Sequence, residues 1–163
     1  MRIGKSDLDD QIADYVIRHK ENFYRLAFSY VKNADDALDV VQESIYKAIS
    51  SKDSLKNPDY IKTWFYRIVV NTSLDLIRKQ KKLVIVDEEI LSNYDSGEFD
   101  NYQNIDLLRA LDSLPDKYRN VIVLRYFEDL KIEEVAEILN ENVSTVKTHL
   151  YKSLKMLRVK IGA

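Results

Sequence analysis

Residues 57–82 read NPDYIKTWFYRIVVNTSLDLIRKQKK. The stretch has the marks of one long helix with a defined start. Asn57 is suited to cap it, and Pro58 fits the first helical position, where a missing N–H costs nothing. Asp59 complements the positive end of the helix dipole. Apolar residues, with Thr72, recur at 61, 64, 65, 68, 69, 72, 76 and 77, the spacing of one buried face. Lys62, Tyr66, Arg67, Asn71 and Ser73 fall on the other face. The end is basic, with Arg78, Lys79, Lys81 and Lys82. Two readings of that end stay open on this stretch alone. Cations are favoured at any helix C-terminus, so it is either a solvated end or a surface for nucleic acid.

The chain has 163 residues, room for one medium domain or two small ones. With 3 Gly and 2 Pro it is poor in the residues that tight turns need, which argues against a sheet-rich fold. It has no Cys, which excludes disulfides and thiolate metal sites. No apolar run is long enough for a membrane span, and MRIGKSDLDD lacks the core of a signal peptide. A cytoplasmic protein is expected, with no direct membrane insertion. Charge is unevenly spread. Residues 1–82 carry net +3, 83–106 net −7 and 107–163 net +2. Two mildly basic blocks thus flank an acidic one, leaving room for local basic patches.

Periodicity predicts a helix over Asp10–Val31 and a second over Asn33–Ile49, capped by Asn33. The second carries Ala37, Val40, Val41, Ile45 and Ala48 on its apolar stripe. Asp39, Gln42, Glu43 and Tyr46 lie on a neighbouring polar face. Residues 50–56 read as a polar loop into the long helix. Residues 10–82 therefore form one helical domain, an all-α bundle. Residues 83–104 read as an acidic flexible linker. Its first four residues, Leu83 to Val86, either dock on a neighbour or form a strand-like piece.

Residues 105–163 read as a second all-α domain. Short helices are expected over Ile105–Ser113, from Pro115 to about Tyr126, and over Ile132–Leu139. A turn at Asn140-Glu141-Asn142 leads to a last helix from Val143 to about Val159. Ala136 is small where two helices cross, and Asn140 tolerates the left-handed conformation that ends a helix. The last helix is expected to bury Val146, Leu150, Leu154 and Leu157. It exposes Ser144, Thr145, Lys147, Thr148, Tyr151, Lys152 and Lys155. This is either an ordinary helical hairpin or a helix-turn-helix whose second helix reads the major groove.

The two halves together resemble the extracytoplasmic-function (ECF) group of bacterial sigma-70 factors. In the first half the resemblance rests on Asp35-Asp36-Ala37-Leu38-Asp39-Val40-Val41-Gln42-Glu43. It continues in Thr63-Trp64-Phe65-Tyr66-Arg67-Ile68 with Asn71, Asp75 and Arg78. In the second half it rests on Ala110-Leu111, Leu114-Pro115, Glu134 to Leu139 and Thr145 to Leu150. The resemblance implies a sigma-2-like domain over 10–82, which binds core RNA polymerase and melts the −10 element. Asp39, Gln42 and Glu43 match the face that docks on the polymerase clamp. The loop 50–57, with Ser54 and Leu55, matches the one that captures a flipped base. Trp64, Arg67, Asn71, Arg78, Lys79, Lys81 and Lys82 then lie along the −10 strand. The resemblance also implies a sigma-4-like domain over 105–163. Ser144, Thr145, Lys147, Thr148, Tyr151, Lys152 and Lys155 would read the −35 element, and the domain would touch the polymerase flap. The linker would thread through the polymerase. An anti-sigma factor, often membrane-anchored, and a stress or envelope-response regulon are further implications. The chain departs from the family pattern at Val70, Ser144 and His149.

Other constellations point to structure. Trp64 lies in an apolar stripe, where core packing competes with a stacking role. His19 and His149 lie in different halves and suggest no metal site; His149 reads as a helix-surface or phosphate-facing residue. Asp39 and Glu43 are four apart on a solvated helix, which does not make a catalytic pair. With no Gly-rich phosphate loop and no nucleophile–base arrangement, neither an enzyme nor a cofactor is expected. The alternatives to a sigma factor are a helix-turn-helix regulator acting without polymerase and a helical adaptor. The first has no use for the 35–82 pattern.

Overall fold

The computed structural model describes residues 5–86, 107 and 109–160. Among them the chain is helical, with no strand. It divides into two compact units between Ser92 and Asn93. Most of the expected linker, 87–104, lies outside the described residues, as do Ile105 and Leu108.

The first unit holds α1 (Lys5–Arg18), α2 (Lys20–Val31), α3 (Ala34–Ser50) and α4 (Ile61–Val86). The expected single helix over 10–31 is two. The chain bends at His19 without losing its ladder, since His19 N–H bonds to Tyr15 O and Phe23 N–H to His19 O. Lys32 ends α2 in the left-handed conformation, its N–H on Phe28 O. Asn33 caps α3 as expected, its side-chain oxygen accepting from the Asp36 N–H at 3.0 Å. Asn57 accepts from the Asp59 N–H at 3.0 Å. The turn it caps, Pro58–Tyr60, is a 3-10 turn, and α4 begins only at Ile61. The far end runs past Lys82 to Val86, so residues 83–86 are helical in backbone and not strand-like. At 26 residues α4 is about 39 Å long.

α4 is the spine of the unit because both α2 and α3 pack on it. Two neighbours bury more than one stripe. Phe65, Tyr66, Val69, Val70 and Leu74 are buried, and so are Thr63, Thr72 and Ser73. Tyr66 and Ser73 were expected on the outer face. Ile61, Ile68, Leu76 and Ile77, expected on the buried face, are only half-buried. At the centre Phe23 meets Phe65 edge-on at 4.7 Å and Tyr66 at 4.9 Å, an arrangement the aromatic quadrupole favours. Buried hydroxyls turn back onto their own helices. Ser44 Oγ donates to Val40 O at 2.7 Å and Thr72 Oγ1 to Ile68 O at 2.7 Å.

The second unit starts with a helical turn at 109–112, then α5 (Asp116–Ile122), α6 (Ile132–Leu139) and α7 (Val143–Lys160). Pro115 is the residue before α5, not its first. Beyond Ile122 the helix widens into a π-helical segment, Val123–Phe127, closed by the Glu128 N–H on Val123 O. Tyr118 to Leu124 are all buried, so the element is enclosed on every side across the change from α- to π-helix. Ala110, Leu111, Leu114, Tyr118, Ile122 and Leu157 form a buried cluster, with Leu107 and Leu150 packed against it.

Candidate polymerase and nucleic-acid interfaces

Three surfaces carry the residues singled out in the sequence. The first is on α3. Its underside of Ala37, Val40, Val41, Ser44 and Ala48 is buried, which leaves Asp39, Gln42 and Glu43 exposed on the outer side. Large apolar side chains flank them: Leu38 is 44% exposed, Tyr46 68% and Ile49 49%. Leu38 and Ile49 escaped the sequence reading. Their signal was apolar character out of phase with the buried stripe. Leu38, Tyr46 and Ile49 thus add exposed apolar area to a face that also carries carboxylate and amide groups.

The second surface is α4 with the loop before it. Trp64, Arg67, Asn71, Arg78 and Lys82 fall within about 60° of one another around the helix axis. Arg67, Asn71, Arg78 and Lys82 are exposed and Trp64 is half-buried, so they form one stripe that turns basic along its length. Asp75 lies within it and meets Arg78 at 3.5 Å, an exposed pair of little energetic weight. Lys79 borders the stripe. Lys81 is exposed and borders the opposite edge, about 40° round the helix from Arg67. Beside Asn71 a pocket of about 380 Å³ opens between α3 and α4, bordered by Tyr46, Lys47 and Thr72.

Trp64 is neither core nor free. Its indole N–H donates to Ser54 Oγ at 2.9 Å. Ser54 Oγ in turn donates to Ser51 O at 2.7 Å, so the tryptophan latches the loop. Leu55, expected at the DNA, is 6% exposed and wedges the loop into the unit, while Ser54 stays exposed. Replacing Trp64 by Phe keeps the ring and removes the donor. The loop should lose about 1 kcal/mol of local stability, read as a roughly fivefold rise in amide exchange over residues 51–57.

The third surface is α7. The α6–α7 turn forms as expected: Asn140 takes the left-handed conformation (φ 56°), and the Asn142 carbonyl accepts the Val146 N–H. Glu134 fixes the start of α6 by accepting the Lys131 N–H at 3.0 Å. Ser144, Lys147, Thr148, Tyr151, Lys152 and Lys155 are exposed, whereas Thr145 is half-buried. Lys155 Nζ lies 5.5 Å from the Tyr151 ring centre, a cation–π approach. The inner side differs from expectation. Val146, Ser153 and Leu157 are buried, Leu150 is half-buried, and Leu154 is 38% exposed. Ser153 sits where α7 passes α5 closely, and its one hydroxyl proton is shared between His149 O on its own helix and Tyr118 O, 3.1 Å away on α5. His149 is not on the groove side. Its ring packs edge-on against Tyr118 at 5.4 Å and approaches Glu141 at 3.5 Å, bracing the turn.

Comparison with known proteins agrees with this geometry. The family description "Sigma-70 region 2" matches residues 15–83 and "Sigma-70, region 4" matches 104–157. The chain is 56% identical over 143 residues to RNA polymerase sigma factor SigV of Bacillus subtilis, covering 88% of this chain and 86% of that one. It is 34% identical to the ECF RNA polymerase sigma factor SigW of the same organism, over 96% of this chain and 91% of that one. It is 31% identical to the ECF RNA polymerase sigma-E factor of Escherichia coli, over 90% and 84%. Among solved structures, the sigma factor RpoE in complex with the anti-sigma factor NepR from Bartonella quintana superposes with a TM-score of 0.73 at 20% identity, covering 91% of this chain and 95% of that one. CnrH, solved with the cytosolic domain of CnrY, gives 0.68 at 24% identity, covering 91% and 85%. The chain belongs to the ECF group of sigma-70 RNA polymerase sigma factors.

Proposed function

We propose that the three surfaces divide the work of a sigma factor between them. Asp39, Gln42 and Glu43, with Leu38 and Tyr46 beside them, dock on the clamp of core RNA polymerase. The α4 stripe of Trp64, Arg67, Asn71, Arg78 and Lys82, with Lys79 and Lys81 flanking, follows the −10 strand. The 50–57 loop, with Ser54 at its exposed edge, receives a flipped base. On α7, Ser144, Thr145, Lys147, Thr148 and Tyr151 read the −35 major groove, while Lys152 and Lys155 meet phosphate. Residues 10–82, with the last turn of α4, and 105–163 are the two working domains; the second also touches the flap, and the rest of 83–104 passes through the polymerase between them.

The observation that carries this reading is the pairing, in one helical unit, of an exposed acidic and amide face on α3 with an aromatic-to-basic stripe on α4. A regulator that binds duplex DNA alone needs only α6 and α7. The protein contributes promoter choice and strand opening without catalysing a reaction itself, and works in the cytoplasm, where polymerase and template are. Among the described residues no helix is long and apolar enough to cross a membrane. Control by an anti-sigma factor is supported by the similar structure of RpoE, solved with the anti-sigma factor NepR; a membrane-anchored form of such a partner is in keeping with CnrH having been solved with the cytosolic domain of CnrY. A stress or envelope-response regulon follows from the same family pattern.

The test is selection by purified holoenzyme from a promoter library randomised upstream of a fixed transcribed segment. Two separated sequence blocks should emerge. Recovery of only one block, or of none, overturns the assignment. On the recovered −35 block, Lys147→Ala and Lys152→Ala should each flatten the salt dependence of binding by about 0.9 in log–log slope. An unchanged slope means that those lysines do not meet phosphate.

A further inference from the structure

Lys52 opens the 3-10 turn Lys52–Ser54, and its carbonyl accepts the Leu55 N–H. Its ammonium is not directed to solvent. It bonds both carboxylate oxygens of Asp9, at 2.9 and 3.1 Å, across 43 residues of chain. The Lys52 side chain is 22% exposed and that of Asp9 43%, so the pair is partly shielded from water. Asp9 belongs to α1, which packs on α3, and lies outside the residues that match either sigma-70 region. The loop therefore has three ties from three places: Trp64 of α4 to Ser54, Leu55 into the core, and Asp9 of α1 to Lys52. The first two hold the loop's later half. The third ties its entry to another helix, where Ser51 N–H and Oγ otherwise return only to Lys47 O at the end of α3.

We infer that Asp9 and Lys52 are a positioning pair that sets the 50–57 loop for the displaced −10 strand, making α1 a working part of promoter opening. The inference rests on the assignment of that loop to base capture. The charge logic separates positioning from direct contact. A lysine held by a bidentate carboxylate is neutralised, and contributes little attraction to phosphate. What the pair supplies is a fixed entry geometry for Ser54, in place of a loop that samples several. Partly exposed ion pairs have modest effects, so the expected change is about threefold for either single variant.

The experiment uses holoenzyme on a promoter recovered by the library selection above. Strand opening is followed by permanganate reactivity of the −10 thymines, alongside core affinity and binding to −35 duplex alone. Asp9→Asn and Lys52→Gln should each lower opening about threefold, with core and −35 affinities and thermal unfolding as in the unmodified protein. The exchanged pair, Asp9→Lys with Lys52→Asp, should recover most of the loss. If Lys52→Gln impairs opening while Asp9→Asn is neutral or improves it, Lys52 is a direct phosphate contact and the inference is overturned. Opening unchanged in both singles, or no recovery in the exchange, overturns it as well. A library that yields no promoter for the unmodified protein removes the base-capture assignment instead, and that failure is distinct from the other two.

Discussion

Asp39→Arg combined with Gln42→Ala is expected to weaken binding to core polymerase by about tenfold or more, while leaving thermal unfolding unchanged. Both side chains are exposed on α3, and α3 is held from beneath by Ala37, Val40, Val41 and Ala48. Neither substitution touches those contacts, and Arg and Ala are both good helix formers. The charge reversal places a cation in an acidic patch that also carries Glu43, where a partner built to receive carboxylates would repel it. Binding of the isolated protein to −35 duplex should not change. Fluorescence anisotropy with labelled protein and purified core measures the first quantity, and calorimetry the second. Equal core affinity would move the docking face elsewhere, with exposed Tyr46 and Ile49 the next to examine.

The second large effect is structural. Phe65→Ala should cost about 3–5 kcal/mol, the usual range for emptying a buried aromatic site. Phe65 is fully buried and stands at the meeting of α2 and α4, edge-on to Phe23. Whole domains are stable by about 5–15 kcal/mol, so this one change removes a large share of the first unit's margin. Denaturant titration by circular dichroism should show an early transition for that unit, while the helix-turn-helix unit unfolds as before. Polymerase binding should fall with it, whereas −35 duplex binding persists. A cost below about 1 kcal/mol would mean that α4 is not the spine of its unit.

The caps, the helix order and the αL turn at Asn140 were readable from sequence because each depends on one or two local residues. Asn33 caps α3 as expected, Asn57 caps the 3-10 turn that leads into α4, and Asn140 is left-handed. Misreadings arise where burial depends on how many neighbours a helix has. A period-3.6 stripe assumes one contacting partner, but α4 has two, so Tyr66, Val70, Ser73 and Leu74 are buried together with the expected Phe65 and Val69. Serines at close approach, such as Ser73 and Ser153, have no hydropathy signal at all. The bend at His19 leaves the apolar spacing continuous, and the widening at Val123–Phe127 leaves no mark in that spacing either.

The candidate surfaces were more legible than the core. Exposed polar residues on a helix need only the correct phase, and Arg67, Asn71, Arg78 and Lys82 share one stripe with Trp64. Two assignments changed because they depend on tertiary contact: Leu55 is a wedge, and His149 braces a turn. The Trp64–Ser54 bond and the Asp9–Lys52 pair join residues 10 and 43 positions apart, beyond any local pattern.

The most direct measurement is run-off transcription by purified core RNA polymerase on a library-derived promoter, with and without this protein. A discrete transcript should appear only when the protein is present, and Asp39→Arg with Gln42→Ala should abolish most of it. A transcript equally strong without the protein, or none with it despite intact −35 duplex binding, would contradict the account.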